Sequence, residues 1–373
     1  VSKIQQLPFL EVIKDVSGGN KKTPQKEYLD SGEIPIIDQG QRSIAGYTND
    51  QQSICKSPPP VIIFGDHTRA VKYIDFPFAM GADGTKVLIP KSNSDTKYLY
   101  YAIRSINLEG AGYSRHYKFL KDTKIPLPPL AEQKRIAGIL DAADALRAKR
   151  RESLAQLDTL LQSTFLEMFG DPVTNPKGWE ERCLGDQAKR ITKGQSPKWQ
   201  GFEYQDSGTL FVTSENVRDG FLDISKPKFV PDLFNEKLKG SQLKEGDLLI
   251  NLVGASIGRS CIFTGYSGLA NVNQAVGIVS VEDPILANYV VQLLQTEHGK
   301  TFLTGRIVEA ARANISLKNL RELIIPIPPL DLQSRFAAIV ESVEKQKARQ
   351  RAHLAELDTL FASLQSRAFN GEL

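Results

Sequence analysis

The chain has 373 residues, 47 Lys and Arg against 43 Asp and Glu, and 41% apolar residues, enough for two or three domains with their own cores at roughly 100 to 200 residues each. A net charge of +4 fits a soluble protein and neither demands nor excludes a polyanionic partner. All of the surplus sits in residues 1–124, with 17 basic and 13 acidic side chains, against 18 and 18 in 171–324 and 6 and 6 in each of 125–170 and 325–373.

The first residues, VSKIQQLPFLEVIKD, carry Lys3, Glu11 and Lys14. They lack the apolar core of a signal peptide, and no uncharged apolar run approaches about 18 residues, so secretion and membrane spanning are both disfavoured. Cys55, Cys183 and Cys261 form no CxxC, and His67, His116, His298 and His353 are not at ligand spacing. Reduced, buried thiols in a cytosol are expected rather than a disulfide framework or structural zinc.

Short apolar runs bounded by Gly, Pro, Asn and Asp predict strands at 34–37, 61–64 and 87–89, followed by a helix over 96–105. Pro128 and Pro129 then hold the backbone extended. Beyond them, apolar residues step by three and four through Ile136, Ile139, Leu140, Ala143, Leu146, Leu154, Leu157, Leu161, Phe165 and Met168, which predicts one long helix over 131–169. The pattern then starts again. Strands are expected at 210–213, 248–252 and 275–281, a helix at 286–297, and a second long helix over 331–369 with Phe336, Ile339, Val340, Val343, Leu354, Leu357, Phe361, Leu364 and Ala368 along its seam. Each non-helical region reads as α+β with a twisted, mostly irregular sheet.

The recurrence is a tandem repeat. Ile125-Pro126-Leu127-Pro128-Pro129-Leu130 returns 200 residues later as Ile325-Pro326-Ile327-Pro328-Pro329-Leu330, and Leu154-Ala155-x-Leu157-Asp158-Thr159-Leu160 returns as Leu354-Ala355-x-Leu357-Asp358-Thr359-Leu360. The preceding segments correspond more loosely: Val61 to Phe64 resembles Leu248 to Asn251, and Tyr98 to Ile103 resembles Tyr289 to Leu294. An internal period of this kind decides the architecture. Two helices of about 40 residues make rods of roughly 60 Å, and the simplest partner for each apolar seam is the other. Packed antiparallel, they give a covalent pseudo-dimer with a globular head at each end of a spacer.

Two related but divergent heads suit a ligand with two related sites at fixed separation. DNA is the natural candidate, since two-fold symmetric readers contact half-sites about 34–36 Å apart or at a multiple of that. Divergent heads would read different half-sites. Constancy in the helices points to a common task there, docking a shared partner.

The run Pro126-Leu127-Pro128-Pro129-Leu130-x-Glu132-Gln133-Lys134-Arg135-Ile136, its degenerate copy at 326–336, Gly246-Asp247-Leu248-Leu249-Ile250 and the ending Phe369-Asn370-Gly371-Glu372-Leu373 resemble the specificity (S) subunit of type I restriction-modification systems. The resemblance covers essentially the whole chain. It implies an α+β fold with two pseudo-symmetric α/β target-recognition domains separated by an antiparallel coiled coil of two long helices, with 1–124 and 171–324 as the recognition domains and 125–170 and 325–373 as the conserved helical regions. It also implies a non-catalytic, sequence-specific DNA-binding subunit, acting in host defence in a prokaryotic cytoplasm and reading an asymmetric bipartite target. Partners would be double-stranded DNA, two modification (M) subunits docked on the helices, and restriction (R) subunits. No cofactor is expected on this chain; S-adenosylmethionine, ATP and Mg are expected on the partner subunits. The second copy departs from the first, with Asp331-Leu332-Gln333-Ser334 in place of Ala131-Glu132-Gln133-Lys134, so contacts at the two ends need not be equal. The alternative is a two-headed coiled-coil scaffold that binds protein and no DNA.

Gln, Arg, Asn and Ser can reach base edges and lysines suit phosphates. In the first head the candidates are Gln39, Gln41, Arg42, His67, Arg69, Lys72, Lys86, Arg115, His116 and Lys118. In the second they are Lys193, Gln195, Lys198, Trp199, Ser214, Asn216, Arg218, Ser256, Arg259, Asn273, Gln274, Arg306, Arg312 and Asn314. For each, a solvated loop or turn residue is the plainer reading. His67 beside Asp66 is expected to be a groove-facing donor or a turn residue, since no nucleophile accompanies it. Gly254 to Gly258 is no phosphate loop, because no Gly-Lys-Ser/Thr follows. Repeated residues off the helical seam, Gln133, Arg135, Arg151, Asp158, Gln333, Arg335, Arg351 and Asp358, are candidates for partner docking, with capping and mutual ion pairs as the alternative. There is no methyltransferase Asn/Asp-Pro-Pro-Tyr/Phe motif, no glycine-rich cofactor loop and no credible nuclease carboxylate set, so no catalytic residue and no metal ligand is named.

Overall fold

The computed structural model describes residues 5–91, 93–108, 115–296, 299–300, 303 and 314–373. The two long helices run Leu130–Phe169 and Leu330–Asn370. Contacts divide the chain into two units, 1–151 with 352–373, and 152–351. Each unit therefore contains one head, the first half of one long helix and the second half of the other.

In the first unit, Ile136, Ala137, Leu140 and Ala143 of the first helix share a core with Phe361 and Ala368 of the second and with Phe9, Ile62, Tyr98 and Leu99 of the head. Arg135 reaches the Leu373 carbonyl at 2.8 Å while Arg147 reaches Asp358 at 2.6 Å, so the halves run antiparallel. In the second unit Leu161, Phe165 and Phe169 pack with Phe336, Val340 and Val343. Phe336 meets Phe165 at 5.6 Å and Phe169 at 5.1 Å, edge to face. Burial of each such ring is worth roughly 1.5–3 kcal/mol, which is why the helices need these partners to persist. Leu146, expected on the seam, is instead 54% exposed. Arg147 lies beside it and carries the helix-to-helix contact.

Each proline run is a strand as well as a corner. Lys124–Leu127 pairs antiparallel with Gln5–Pro8, and Ile324–Ile327 with Glu180–Cys183. A two-stranded ribbon leaves one edge of each strand unpaired, so Pro126 and Pro326, which lack a donor, are tolerated. Gln133 and Gln333 then close the corners, donating from Nε2 to the Pro128 and Pro328 carbonyls at 2.8 and 2.7 Å.

The sheets are regular rather than mostly irregular as expected, and the two heads repeat one plan. In the first, Ile13–Asp15, Thr85–Pro90, Val61–Gly65 and Val71–Ile74 form a four-stranded antiparallel sheet. In the second, Ala188–Lys193, Val276–Val281, Leu248–Asn251 and Ser260–Ile262 do so in the same order. The central strands Val61–Gly65 and Leu248–Asn251 are buried throughout, as their unbroken apolar runs require. Each head adds a second sheet, four-stranded in the first and three-stranded in the second, that includes parallel pairing, Ile34–Ile37 with Ala79–Gly81 and Thr209–Val212 with Ala270–Val272.

One longer helix crosses each head. Thr96–Ser105 is capped by the Asp95 carboxylate, which accepts from Tyr98 N at 2.8 Å. Its counterpart is Pro284–Gln295, two residues earlier than expected because Asp283 caps it and a proline suits its first turn. The equivalence is physical: Tyr98 packs on Phe369 at 5.6 Å and Tyr289 on Phe169 at 5.0 Å. Among the described residues no helix is long and apolar enough to cross a membrane, and no group of His, Cys, Asp and Glu is placed to hold a metal ion.

Candidate nucleic-acid interface

In the first head the strand Val61–Gly65 runs into a tight turn at Asp66 to Arg69. A Cβ on Gly65 would stand 2.7 Å from the Gln39 carbonyl, so only glycine lets these segments meet. Thr68 Oγ1 donates to that carbonyl, and Gln39 Oε1 accepts from His67 N at 3.1 Å. The buried Asp66 carboxylate accepts from Tyr117 N at 2.8 Å, and its carbonyl accepts from His116 N at 2.7 Å. The turn is thereby fixed to the start of the Tyr117–Lys121 helix.

These elements enclose an open cleft of about 790 Å³ that brings together Gln39, His67, Lys86 and Arg115. Thr85 also lines it; this residue is 3% exposed and its Oγ1 has no hydrogen-bond partner among the described residues. Buried polar groups are normally satisfied, which makes this hydroxyl unusual in the cleft wall. Lys86 is held 3.2 Å from Asp15 and over the Tyr117 ring at 4.9 Å. Burial pushes the Asp15 carboxyl up, but hydrogen bonds from Ser17 and the Lys86 charge outweigh it and hold Asp15 below the ordinary carboxylate range. Sequence reasoning missed Asn20 and Lys22, which also line the cleft; the Ser17-Gly18-Gly19-Asn20 turn was the available signal.

Other candidates in this head stand elsewhere. Gln41, Arg42 and Lys118 are exposed. Arg69, with φ of 60°, donates to the Leu108 carbonyl at 2.8 Å. Two expectations are corrected. Lys72 is bound to the Asp38 carbonyl at 2.8 Å with its side chain 10% exposed, and burial depresses its ammonium below the ordinary lysine range despite Asp38. It anchors the Asp38 loop and offers no free cation. His116 is buried at the start of the Tyr117–Lys121 helix, not in a groove.

In the second head the Lys193 to Trp199 loop lies against the Ala270–Val272 strand. A Cβ at Gly194 would fall 1.7 Å from the Val272 carbonyl, so the approach requires glycine. Phe202 is packed edge-to-face on Phe234 at 5.5 Å, and its N–H donates to the Pro197 carbonyl at 3.0 Å. The short Lys198–Gln200 turn is thus anchored from one side while Trp199 is 80% exposed. Lys193, Gln195 and Lys198 are exposed beside it in sequence. Gln195 Oε1 accepts from Gln200 Nε2 at 2.5 Å.

Asn216 is a correction. It is buried, accepts from Thr213 N at 2.8 Å and donates to the Asp223 carbonyl at 2.9 Å, so it holds a turn rather than meeting a base. Ser214 and Ser256 are drawn together by the buried Asn251, whose Nδ2 donates to the Ser214 carbonyl at 2.9 Å and to Ser256 Oγ at 3.1 Å. Arg218 lies 3.6 Å from Asp223, and with Arg259 it lines a cleft of about 410 Å³ shared with Lys347 and Arg351. Asn273 Oδ1 accepts from Ala275 N at 3.1 Å, while Gln274 and Asn314 are exposed. Arg306 and Arg312 lie outside the described residues.

The repeated helix residues split into two groups. Gln133 and Gln333 are 3% and 5% exposed and clamp the proline corners, which removes them as docking surface. Asp358 pairs with Arg147 and Arg151 at 2.6 and 3.2 Å, Asp158 with Lys347 at 2.6 Å, and Arg351 with Glu344 at 3.4 Å. Arg135 is tied to Glu132 at 2.6 Å, whereas the exposed Arg335 has Leu332 at the equivalent position.

The family described as "Type I restriction modification DNA specificity domain" matches residues 11–157 and 176–358. The chain is 24% identical over 359 residues to the specificity subunit of the Escherichia coli type I restriction enzyme EcoR124I/EcoR124II, covering 92% of this chain and 87% of that one. It is 26% identical over 331 residues to the EcoBI specificity subunit of the same organism, covering 77% and 68%. The fold is similar to the crystal structure of a type I restriction-modification S subunit from M. genitalium, with a TM-score of 0.58 at 16% identity over 99% and 97% of the two chains. The repeated helices, the paired heads and a family match over most of the length agree, and this chain belongs to the type I restriction-modification DNA specificity family, as a specificity subunit and not a catalytic one.

Proposed function

We propose that this specificity subunit reads an asymmetric bipartite sequence in double-stranded DNA, one half-site per head. Residues 1–124 and 171–324 are the recognition domains, and 125–170 and 325–373 dock two modification subunits, to which restriction subunits are added for cleavage. S-adenosylmethionine, ATP and Mg belong to those partners. The observation that carries the reading is the contrast within the repeat: corners and helices keep matching contacts 200 residues apart, while the polar clefts and exposed side chains of the heads differ. In the first head Lys86, Gln39 and Arg115 supply donors and acceptors for base edges and phosphates. In the second, Trp199 with Lys193 and Lys198 supplies an aromatic face among cations.

Methylation sequencing of cells carrying the chain with its modification subunit tests the reading directly. Modified sites should share one bipartite motif, and sites with no common motif would refute it. A gel shift across a salt series separates it from a scaffold that binds only protein, because a DNA reader loses affinity steeply with salt and such a scaffold retains no DNA at any salt.

A further inference from the structure

The two heads hold one backbone position in the same way and give it different side chains. Ile37 and Val212 end matching strands, each beside a residue of its parallel partner, Met80 and Val272. Two residues further on stand Gln39 and Ser214. Both carbonyls are held from the end of the central strand: Thr68 Oγ1, in the turn after Gly65, donates to that of Gln39, and Asn251 Nδ2 donates to that of Ser214 at 2.9 Å. A constant backbone anchor with a variable side chain is what two heads reading different bases require.

In the first head the anchored side chain is itself fixed. Gln39 Oε1 accepts from His67 N at 3.1 Å, and a backbone N–H can bond only the oxygen of a carboxamide, so its polarity is set. The carboxamide lies against Gly84, where a Cβ would stand 2.6 Å from Oε1 and 2.8 Å from Nε2. Its oxygen is therefore both bonded and packed. Nε2, with two protons, makes no hydrogen bond among the described residues, and Gln39 lines the open cleft of this head. The side chain presents donors to a ligand and no acceptor.

The surrounding wall favours a base edge over a phosphate. Lys22, Lys86 and Arg115 line the cleft, but so do Asp66 and Asp83, and Lys86 is paired with Asp15 at 3.2 Å. Near balance of charge suits a neutral edge, whereas the carboxylate of Asp83, next to Gly84, repels a phosphate. In the major groove a donor with two protons matches guanine, whose N7 and O6 are adjacent acceptors. Cytosine shows an amino donor there, and thymine sets one acceptor beside a methyl group. The usual glutamine–adenine pair needs the oxygen that His67 occupies here.

We propose that Gln39 is a specificity-determining residue of the first head, donating from Nε2 to the major-groove edge of a guanine in its half-site. This rests on the reading of the heads as DNA recognition domains and names one base contact within it. The matched Ser214 carries a single hydroxyl, so the two half-sites differ at this position.

The test uses the full-length chain with its modification subunit and the bipartite duplex that methylation sequencing identifies. Each guanine is replaced in turn by 7-deazaguanine, which lacks N7. Binding should weaken about tenfold at one position of one half-site, and inosine at that position, which keeps N7 and O6, should leave it unchanged. Gln39→Glu retains an oxygen for His67 N and turns the free donor into an acceptor. This variant should ignore 7-deazaguanine at that position and bind the duplex with that G·C pair reversed at least as well as the original, with every other position read as before. A guanine preference kept by Gln39→Glu, with or without uniform weakening across sequences, would overturn the assignment while leaving the bipartite reading intact. A change confined to an adenine position would do the same. A wild-type complex with no shared motif would end both readings. Should Gln39→Glu not fold, the scan on the wild-type complex decides alone: no guanine sensitive to the loss of N7 would refute the contact.

Discussion

Arg147 donates from Nε to Asp358 at 2.6 Å in one unit, and Lys347 meets Asp158 at the same distance in the other. The four residues are related by the 200-residue offset, as are Asp144 and Glu344, which pair with the same two cations at 2.6 and 2.5 Å. The pseudo-two-fold relation written in the sequence is therefore realised as charge pairing inside each unit. Arginine and lysine are not interchangeable within it. Arg147 also lies over the Phe361 ring at 4.3 Å, whereas the position matching Phe361 is Leu161. Arg147→Lys should cost about 1–2 kcal/mol, through the lost second hydrogen bond and ring contact. Lys347→Arg should destabilise by overpacking, since Lys347 is 2% exposed. Urea unfolding of both variants beside the parent chain checks this, and a variant as stable as the parent would contradict it.

The corner glutamines should differ in worth. Gln133 donates to the Pro128 carbonyl and also accepts from Asp95 N at 2.9 Å, whereas Gln333 Oε1 is buried without a partner among the described residues. Gln133→Ala should destabilise by about 2–3 kcal/mol and Gln333→Ala by roughly 1 kcal/mol less. Thermal denaturation of the pair measures the gap, and the reverse order would show that the second bond of Gln133 contributes nothing.

Trp199 and Asn216 were both candidates for DNA contact, and the fold separates them. Trp199→Ala should leave stability within about 0.5 kcal/mol and weaken binding to the bipartite target roughly tenfold, if the ring stacks on or wedges between bases. Asn216→Ala should do the opposite, costing about 1–3 kcal/mol of stability by unpairing a buried turn. Fluorescence anisotropy and calorimetry on the same two variants decide it.

The depressed Asp15 carboxyl makes acid stability specific. Because its folded pKa lies below the unfolded value, its contribution is fully present above about pH 4 and is lost as pH falls through the folded value. Asp15→Asn should remove that contribution at neutral pH and flatten the acid limb of a stability profile between about pH 5 and 2. An unchanged limb would mean that the Lys86 and Ser17 contacts are as strong with a neutral side chain.

Thiol reactivity should rank by burial. Cys261 is fully buried and burial pushes its thiol up to about 12, and Cys55 is also buried and raised. Cys183 is partly exposed. Alkylation of the native protein at pH 8 should modify Cys183 alone, with Cys261 protected until global unfolding. Early labelling of Cys261 would show that its strand opens locally.

The sequence by itself determined the repeat, the two long helices, the central strands and the crossing helices, because an unbroken 3.6-residue apolar period and short buried runs need no knowledge of neighbours. Even the boundary at Pro284 was available in the Asp-Pro pair. Which polar residues are surface and which are structure was decided only by tertiary contacts. Gln133, Lys72, His116 and Asn216 read as available donors along the chain, yet the first three are tied to segments distant in sequence, at Asp95, Asp38 and Asp66, and Asn216 is buried in its own turn; burial turns a donor into a clamp or a turn.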